Sequence, residues 1–267
     1  MRRTRLDAEL VRRGLARSRE QATALVTSGR VSVGGRVAAK PATAVESGAA
    51  IVIRDEQTAP TYASRGGHKL AGALDALGPA GPPVEGRRCL DAGASTGGFT
   101  DVLLRRGAVH VVAVDVGYGQ LAWTLRTDPR VRVLERTNVR ELTSDQVGPP
   151  VGLTVADLSF ISLRLVLPAL RRCAASDADH LLMVKPQFEV GRERLGAGGV
   201  VRDPQLRAAA VLDVAAAARE HGLGTRGVVA SPLPGPAGNV EYFLWLQAGA
   251  PAADPAAVRL AVVEGPA

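Results

Sequence analysis

Lysine is scarce in this chain, and its few occurrences are the first residues whose type invites chemistry. Of the 33 basic residues only Lys40, Lys69 and Lys185 are lysine; the others are arginine. Arginine keeps its proton near neutral pH, whereas a partly buried lysine can give one up and serve as a base. Lys185 closes an apolar run in Met183-Val184-Lys185-Pro186, and Lys69 follows Arg65-Gly66-Gly67-His68 at the start of a helical pattern. Two acids hold similar places. Asp157 ends an apolar run in Asp157-Leu158-Ser159-Phe160, and Glu241 opens the last run after Pro236-Ala237-Gly238-Asn239-Val240. An alcohol is a poor nucleophile until it loses its proton, and a neutral amine at hydrogen-bond distance can accept one. A second cation nearby and partial burial favour the neutral amine, while carboxylates orient the pair. Lys185 therefore reads as a general base, with Lys69, Asp157 and Glu241 around it. Taken singly, each has a plainer reading: a lysine whose stem lies on apolar surface, or an acid capping a strand.

The sharpest local signal is Asp91-Ala92-Gly93-Ala94-Ser95-Thr96-Gly97-Gly98-Phe99, after an apolar run and before a helical pattern. Glycines there let a ligand reach backbone N–H groups at a helix start, so Asp91, Gly93, Ser95, Thr96, Gly97 and Gly98 are candidate cofactor contacts. Asp115 ends the next run, where an acid can bind ribose hydroxyls. Asn138 and Val139 follow the third run; an Asn there is most simply a turn residue, though class I methyltransferases, which the Gly93 loop resembles, hold an adenine at this place. Glycines at 93, 97 and 98 do not form the G-x-G-x-x-G dinucleotide pattern. With an acid leading the turn, the loop resembles the S-adenosylmethionine loop of class I methyltransferases, Ser95 standing where a glycine is usual. An ordinary tight turn is the alternative. Enzymes of that class that methylate amines carry an Asn/Asp-Pro-Pro-aromatic tetrad where this chain has Asp157–Phe160, which argues against a base amine as acceptor. Phe160 could stack on an extruded base or belong to the core.

These residues need elements to hold them. From Arg87 onward, apolar runs end at Asp91, Asp115, Leu134, Asp157, Lys185 and Ser231, with helix-like segments between most of them. That alternation predicts an α/β domain of the class I, Rossmann-like kind: a mostly parallel sheet closed by an antiparallel last strand at Tyr242–Leu246. Gly191 to Arg202, with four glycines among charged residues, reads as a mobile lid. The Ala/Pro-rich tail from Ala248 reads as loosely ordered, with a strand at Val258–Val263.

The front of the chain differs. Leu6, Leu10 and Val11 share a helical face, and Ser18 opens a second helix with Gln21 as the other half of a capping box and Gly29 as its stop. Gly34-Gly35 between Val31-Ser32-Val33 and Val37 signals a hairpin, and Ile51–Ile53 another strand. This predicts a small α+β module over residues 1–59, a linker over 60–64 and the sheet domain over 65–267.

Composition agrees with that division. The chain has 267 residues and a net charge of +7. Residues 1–59 hold 11 Lys/Arg against 6 Asp/Glu, and the rest 22 against 20, as expected of a basic, polyanion-binding appendage on a nearly neutral domain. At 46% hydrophobic and 22% charged, a core can form. No apolar stretch is long enough for a membrane helix and the charged start lacks a secretory signal. Cys89 and Cys173 read as buried thiols of a reducing compartment, so a cytoplasmic protein is expected. His68, His110, His180 and His221 show no ligand spacing, so no metal is expected.

Taken together, these stretches resemble the TlyA family of ribosomal RNA 2′-O-methyltransferases, also labelled hemolysin A, whose catalytic half is similar to the FtsJ/RrmJ methyltransferases. The similarity spans essentially residues 1–248. It rests on Ser64–Gly67 with Lys69, Asp91–Thr100, Asp115–Leu121, Asp157–Leu163, Val184–Glu189, Gly198–Asp203 and Ser231 through Glu241. The front module resembles the RNA-binding domain named after ribosomal protein S4, through Arg5-Leu6-Asp7, Ser18-Arg19, Gly29–Val31, Val33–Gly35 and Lys40-Pro41. The resemblance implies a Lys69, Asp157, Lys185, Glu241 tetrad, S-adenosylmethionine as cofactor, and ribosomal RNA or ribosomal subunits as partner, methylated on cytidine ribose. It also implies RNA contacts at Arg3, Arg5, Arg17, Arg19, Lys40 and Phe160. His68 departs from the family pattern, which favours an apolar residue there. The competing readings are a non-catalytic RNA-binding or assembly factor with a vestigial cofactor pocket, a base-directed methyltransferase, and a pore-forming hemolysin.

Overall fold

The switch from isolated short strands to long apolar runs marks two units in the computed structural model, residues 1–60 and 61–267. The described residues are 3–38, 40–46, 48–53 and 61–266. The predicted boundary between module and linker thus falls on residues 54–60, outside them.

In the front unit β1 (Arg3–Arg5) is followed by α1 (Leu6–Arg12) and α2 (Arg19–Thr27), then β2 (Val31–Val33), β3 (Arg36–Val37), β4 (Ala44–Glu46) and β5 (Ile51–Ile53). β2 pairs antiparallel with β3 through the Gly34-Gly35 turn, and with β5 on its other side. Leu6, Leu10, Ala22, Leu25, Val26, Val31 and Val45 form its core. Ser18 Oγ accepts from Gln21 N as a helix cap should. The return half of the capping box is displaced by one residue, because Gln21 Oε1 accepts from Arg17 N instead of Ser18 N. β1 and β4 pair antiparallel; three-residue strands such as Arg3-Thr4-Arg5 carry no apolar alternation, so the sequence does not announce them.

The second unit opens with α3 (Arg65–Leu77), then β6 (Arg88–Ala92), α4 (Gly98–Arg105), β7 (His110–Val114), α5 (Trp123–Arg126), β8 (Val131–Leu134), α6 (Ser144–Val147) and β9 (Val151–Ala156). It continues with α7 (Leu167–Cys173), β10 (Ala174–Val184), α8 (Pro186–Glu189), α9 (Pro204–Glu220), β11 (Leu223–Ala230), β12 (Tyr242–Ala248) and α10 (Pro255–Glu264). The seven strands lie in the order β11-β12-β10-β9-β6-β7-β8. All neighbours around β6 are parallel, while β12 runs antiparallel to β10 and β11. Leu90, Val112, Leu182 and Leu244 face one apolar layer; Cys89, Val111, Leu181 and Phe243 face the other. The chain leaves β6 toward β7 and β8, then returns to β9 on its other side. The crevice above the carboxyl ends of β6 and β9 is therefore the switch point where ligands bind in such sheets.

One expectation needs correction. The tail is neither loose nor a strand: Val258–Val263 lies inside α10, with Asp254 as N-cap and Pro255 in the first turn. Val258, Ala261 and Val262 are buried at helical spacing, and Thr225 N donates to Pro251 O, tying the preceding loop to β11. The lid segment is held at its far end. Buried Asn239 accepts from Val201 N at 2.9 Å and donates to Gly199 O at 3.0 Å, while Val190 and Val201 pack with Ala210.

Candidate active site

Two glycines explain how the strand ends come so close. Gly93 has φ +88°, and a Cβ there would lie 2.6 Å from the Asp157 carbonyl oxygen; only glycine lets the β6 turn cross the end of β9. A Cβ on Gly98 would clash with Ser64 Oγ and lie 2.7 Å from Gly67 N. The start of α4 is thus pressed against the start of α3, and Lys69, one turn further along α3, reaches the sheet edge.

Four side chains, one on α3, two just after β9 and β10 and one just before β12, line the cavity there. Lys69 Nζ donates to Glu241 Oε2 at 2.5 Å, with the lysine side chain 9% and the glutamate 1% exposed. Lys185 Nζ lies 2.6 Å from Asp157 Oδ1 and donates to Ser159 Oγ at 2.9 Å. Both pairs line one cavity of about 330 Å³, together with Ser64, Gly93, Ser95, Thr96 and Gly98. A second cavity of about 450 Å³ adjoins it and holds Asp115, Asn138, Val139, Leu158 and Ile161. Gly93, Ser95, Asp157 and Ser159 border both.

The loop residues divide by role. Asp115 accepts from Ser95 N at 2.8 Å and Gly117 N at 2.7 Å, so its carboxylate braces the Gly93 loop at the cavity wall. Asn138 accepts from Arg140 N as a cap. Asp91 and Gly97, both expected as cofactor contacts, line neither cavity. Gly97 turns toward Leu121 and Leu125. Asp91 is fully buried beneath the loop and accepts from Thr100 Oγ1 at 2.7 Å. Burial, partly offset by Thr100 and reinforced by the charges of Asp157 and Asp115, pushes its carboxyl up to about 7. Three non-glycine residues, Ser95, Arg136 and Phe160, adopt left-handed backbone, and all three follow strand ends at this edge, as strain at functional sites does. Ser95 takes a conformation that suits the glycine usual at its position.

Phe160 is 91% exposed, which removes the core reading; its ring lies 5.2 Å from that of Phe188. His68 packs edge-on against Tyr62 at 5.1 Å. In the front unit Arg5, Arg17, Arg19 and Lys40 are exposed, and the Arg3 side chain lies outside the described residues. Arg5 and Arg19 converge on Asp7 at 2.8 and 3.5 Å, and Asp7 N donates to Pro41 O beside Lys40.

Sequence reasoning missed Ser159 and Glu189. Glu189 is 4% exposed, accepts from Leu163 N at 2.8 Å and from the Ser162 hydroxyl, and so ties the loop after β9 to the turn after β10. Burial raises its carboxyl, against the pull of Ser162. Its place four residues after Lys185 was the available signal.

Residues 62–248 match the family model of FtsJ-like methyltransferases, and residues 4–51 that of the S4 domain. The chain is 62% identical over 271 residues to the 16S/23S rRNA (cytidine-2′-O)-methyltransferase TlyA of Mycobacterium tuberculosis, covering 99% of each. The chain belongs to the TlyA family of FtsJ-like methyltransferases. Hemolysin A of Brachyspira hyodysenteriae is 34% identical, over 90% of this chain and 98% of that one. A solved Streptococcus thermophilus structure that carries the hemolysin label superposes with a TM-score of 0.75 at 37% identity, covering 99% of this chain and 96% of that one. Among the described residues of this TlyA-family member, no helix is long and apolar enough to cross a membrane. None of their His, Cys, Asp and Glu side chains form a group of three or more that could hold a metal ion.

Proposed function

We propose that this methyltransferase modifies the 2′-hydroxyl of cytidine ribose in ribosomal RNA, with S-adenosylmethionine as donor and Lys185 as general base. One observation carries the reading: two lysine–carboxylate pairs, remote in sequence, line one cavity that is continuous with the Gly93 loop. The substrate follows the name of the 62%-identical Mycobacterium tuberculosis relative.

The second cavity suits the donor. Asp115 offers a carboxylate to a ribose diol, Asn138 and Val139 lie at the base end, and Leu158 and Ile161 give apolar walls for a flat ring. Gly93, Ser95 and Thr96 would hold the amino-acid end where the two cavities meet. When bound, S-adenosylmethionine supplies an electrophilic methyl group. Lys185 takes the hydroxyl proton at Nζ as the oxygen attacks. Asp157 holds that amine in place, and Lys69, anchored by Glu241, sets a positive charge where the oxygen becomes negative. Phe160, exposed at the rim, offers a face for the extruded base. In the front unit Arg5, Arg17, Arg19 and Lys40 neutralise RNA phosphates. Such a substrate places the protein in the cytoplasm.

Lys185→Arg tests the base assignment, because it keeps a positive charge but has no neutral form near neutral pH that could accept a proton. In the full chain, with ribosomal subunits and labelled donor, methyl transfer should fall by at least roughly a hundredfold, with donor binding retained. Transfer near the wild-type rate would defeat the lysine-base mechanism.

A further inference from the structure

A neutral amine is useful as a base only when its lone pair points at the proton to be removed. Lys185 Nζ has three bonding directions besides its own carbon: three N–H as an ammonium, or two N–H and a lone pair when neutral. One of those directions is committed to a hydrogen bond. Ser159 Oγ accepts one N–H at 2.9 Å, and Asp157 Oδ1 lies 2.6 Å away. The Asp157 contact is a close ion pair outside hydrogen-bond alignment, since that oxygen has no hydrogen-bond partner among the described residues. Ser159 therefore supplies the directional bond and Asp157 the charge. With the Cε–Nζ axis set by the side chain, the bond to Ser159 fixes how the other two directions of Nζ are turned about it.

The location of Ser159 fits this task. It is exposed and borders both cavities, so its hydroxyl serves no core packing and stands where donor and acceptor must meet. The backbone turns into left-handed φ +63° at Phe160 immediately after it, and Glu189 fixes the same loop at Ser162 and Leu163. On the near side Asp157 N donates to Ala92 O at 3.0 Å, so the loop is held on both sides of the hydroxyl.

We propose that Ser159 is a positioning residue that aims the free electron pair of Lys185 at the acceptor hydroxyl. The inference rests on the reading of Lys185 as base. The acceptor's proton passes to that electron pair and becomes the third N–H, while the hydrogen bond to Ser159 persists and the new positive charge faces Asp157.

The test compares Ser159→Ala, Ser159→Thr and Lys185→Ala in the full chain, measuring methyl transfer to ribosomal subunits across donor and RNA concentrations, with melting temperatures. Ser159→Ala should lower kcat roughly ten- to a hundredfold, the rate equivalent of one hydrogen bond to a charged group. KM for donor and RNA and the melting temperature should be unchanged, and Ser159→Thr should restore most of the rate. Wild-type kcat in Ser159→Ala beside an inactive Lys185→Ala would overturn the positioning role and leave the base assignment standing. A rise in KM at unchanged kcat would also overturn it, by making Ser159 a substrate contact. An active Lys185→Ala would instead remove the base reading itself.

Discussion

In the front unit Asp7 and Glu9 are gripped by arginines. Arg5 donates twice to Asp7, and Arg12 and Arg13 both donate to Glu9; those hydrogen bonds hold each carboxyl at about 2. In the catalytic unit Asp91 is fully buried, receives one hydroxyl from Thr100 and is pushed up to about 7. The contrast extends to the choice of cation. Arg87–Asp179, Arg105–Asp101 and Arg106–Asp75 brace the catalytic unit from outside its cavity, whereas both described lysine pairs stand inside it. Arginine, always charged and forked, suits a permanent clamp; lysine, a compact charge able to release a proton, suits a reacting site.

If that division is real, equivalent substitutions in the two settings will differ widely. Glu241→Gln leaves the buried ammonium of Lys69 without its counter-charge, which should cost roughly 3 kcal/mol of stability and abolish most methyl transfer. Arg12→Lys in the front unit retains an ion pair to Glu9 from an exposed position and should change the melting temperature by about 2 °C or less, with activity within about twofold of wild type. Thermal melts and transfer assays on both variants decide the matter. Equal, small effects would mean that the buried Lys69–Glu241 pair contributes no more than an exposed bridge.

The acids also predict opposite responses to pH. The folded chain raises the Asp91 pKa above its ordinary 3.8, so its neutral form is favoured by folding. That contribution is complete below about pH 4 and is lost as pH climbs through about 7. Asp7 and Glu9 are lowered, so theirs is present above about pH 4 and lost as pH falls toward 2. Asp91→Asn should flatten the stability profile between about pH 4 and 7, a change on the order of a few kcal/mol. A wild-type to Asn difference that stays constant across that range would show that Asp91 ionises normally.

Much of this arrangement is legible in the sequence because a parallel sheet buried on both faces leaves continuous apolar runs. Asp91, Asp115, Asp157 and Lys185 read correctly as strand ends because each breaks such a run at the carboxyl edge. Lysine scarcity pointed to Lys69 and Lys185 for a chemical reason independent of position. The misreadings share a different cause. Val258–Val263 looks like a strand until Asp254-Pro255 is read as a helix start, a signal eight residues away from the apolar run's end. Asn239 and Ser159 act through hydrogen bonds to residues 38 and 26 positions distant, and no local periodicity records such pairings. Asp91 heads the loop in sequence yet lies under it, because a strand's last side chains alternate between core and rim.

The same contrast between committed and free cations separates the front unit's own arginines. Arg5 and Arg19 both lean on Asp7, whereas no ion pair is described for Arg17 or Lys40. A cation already neutralised by a carboxylate displaces fewer RNA counterions than one facing solvent. Arg17→Gln in the full chain should therefore weaken binding to ribosomal RNA modestly and lower the slope of log affinity against log salt by roughly 0.7 to 0.9, the value of one phosphate contact. Lys40→Gln should do the same, and the pair should add. Arg19→Gln should move the slope less, because it frees part of Asp7's charge to repel the same phosphates while removing a cation that was only partly available. An unchanged slope in the double variant would take the front unit out of the RNA interface; an equal fall for Arg19 would show that Asp7 does not hold its partner once RNA arrives.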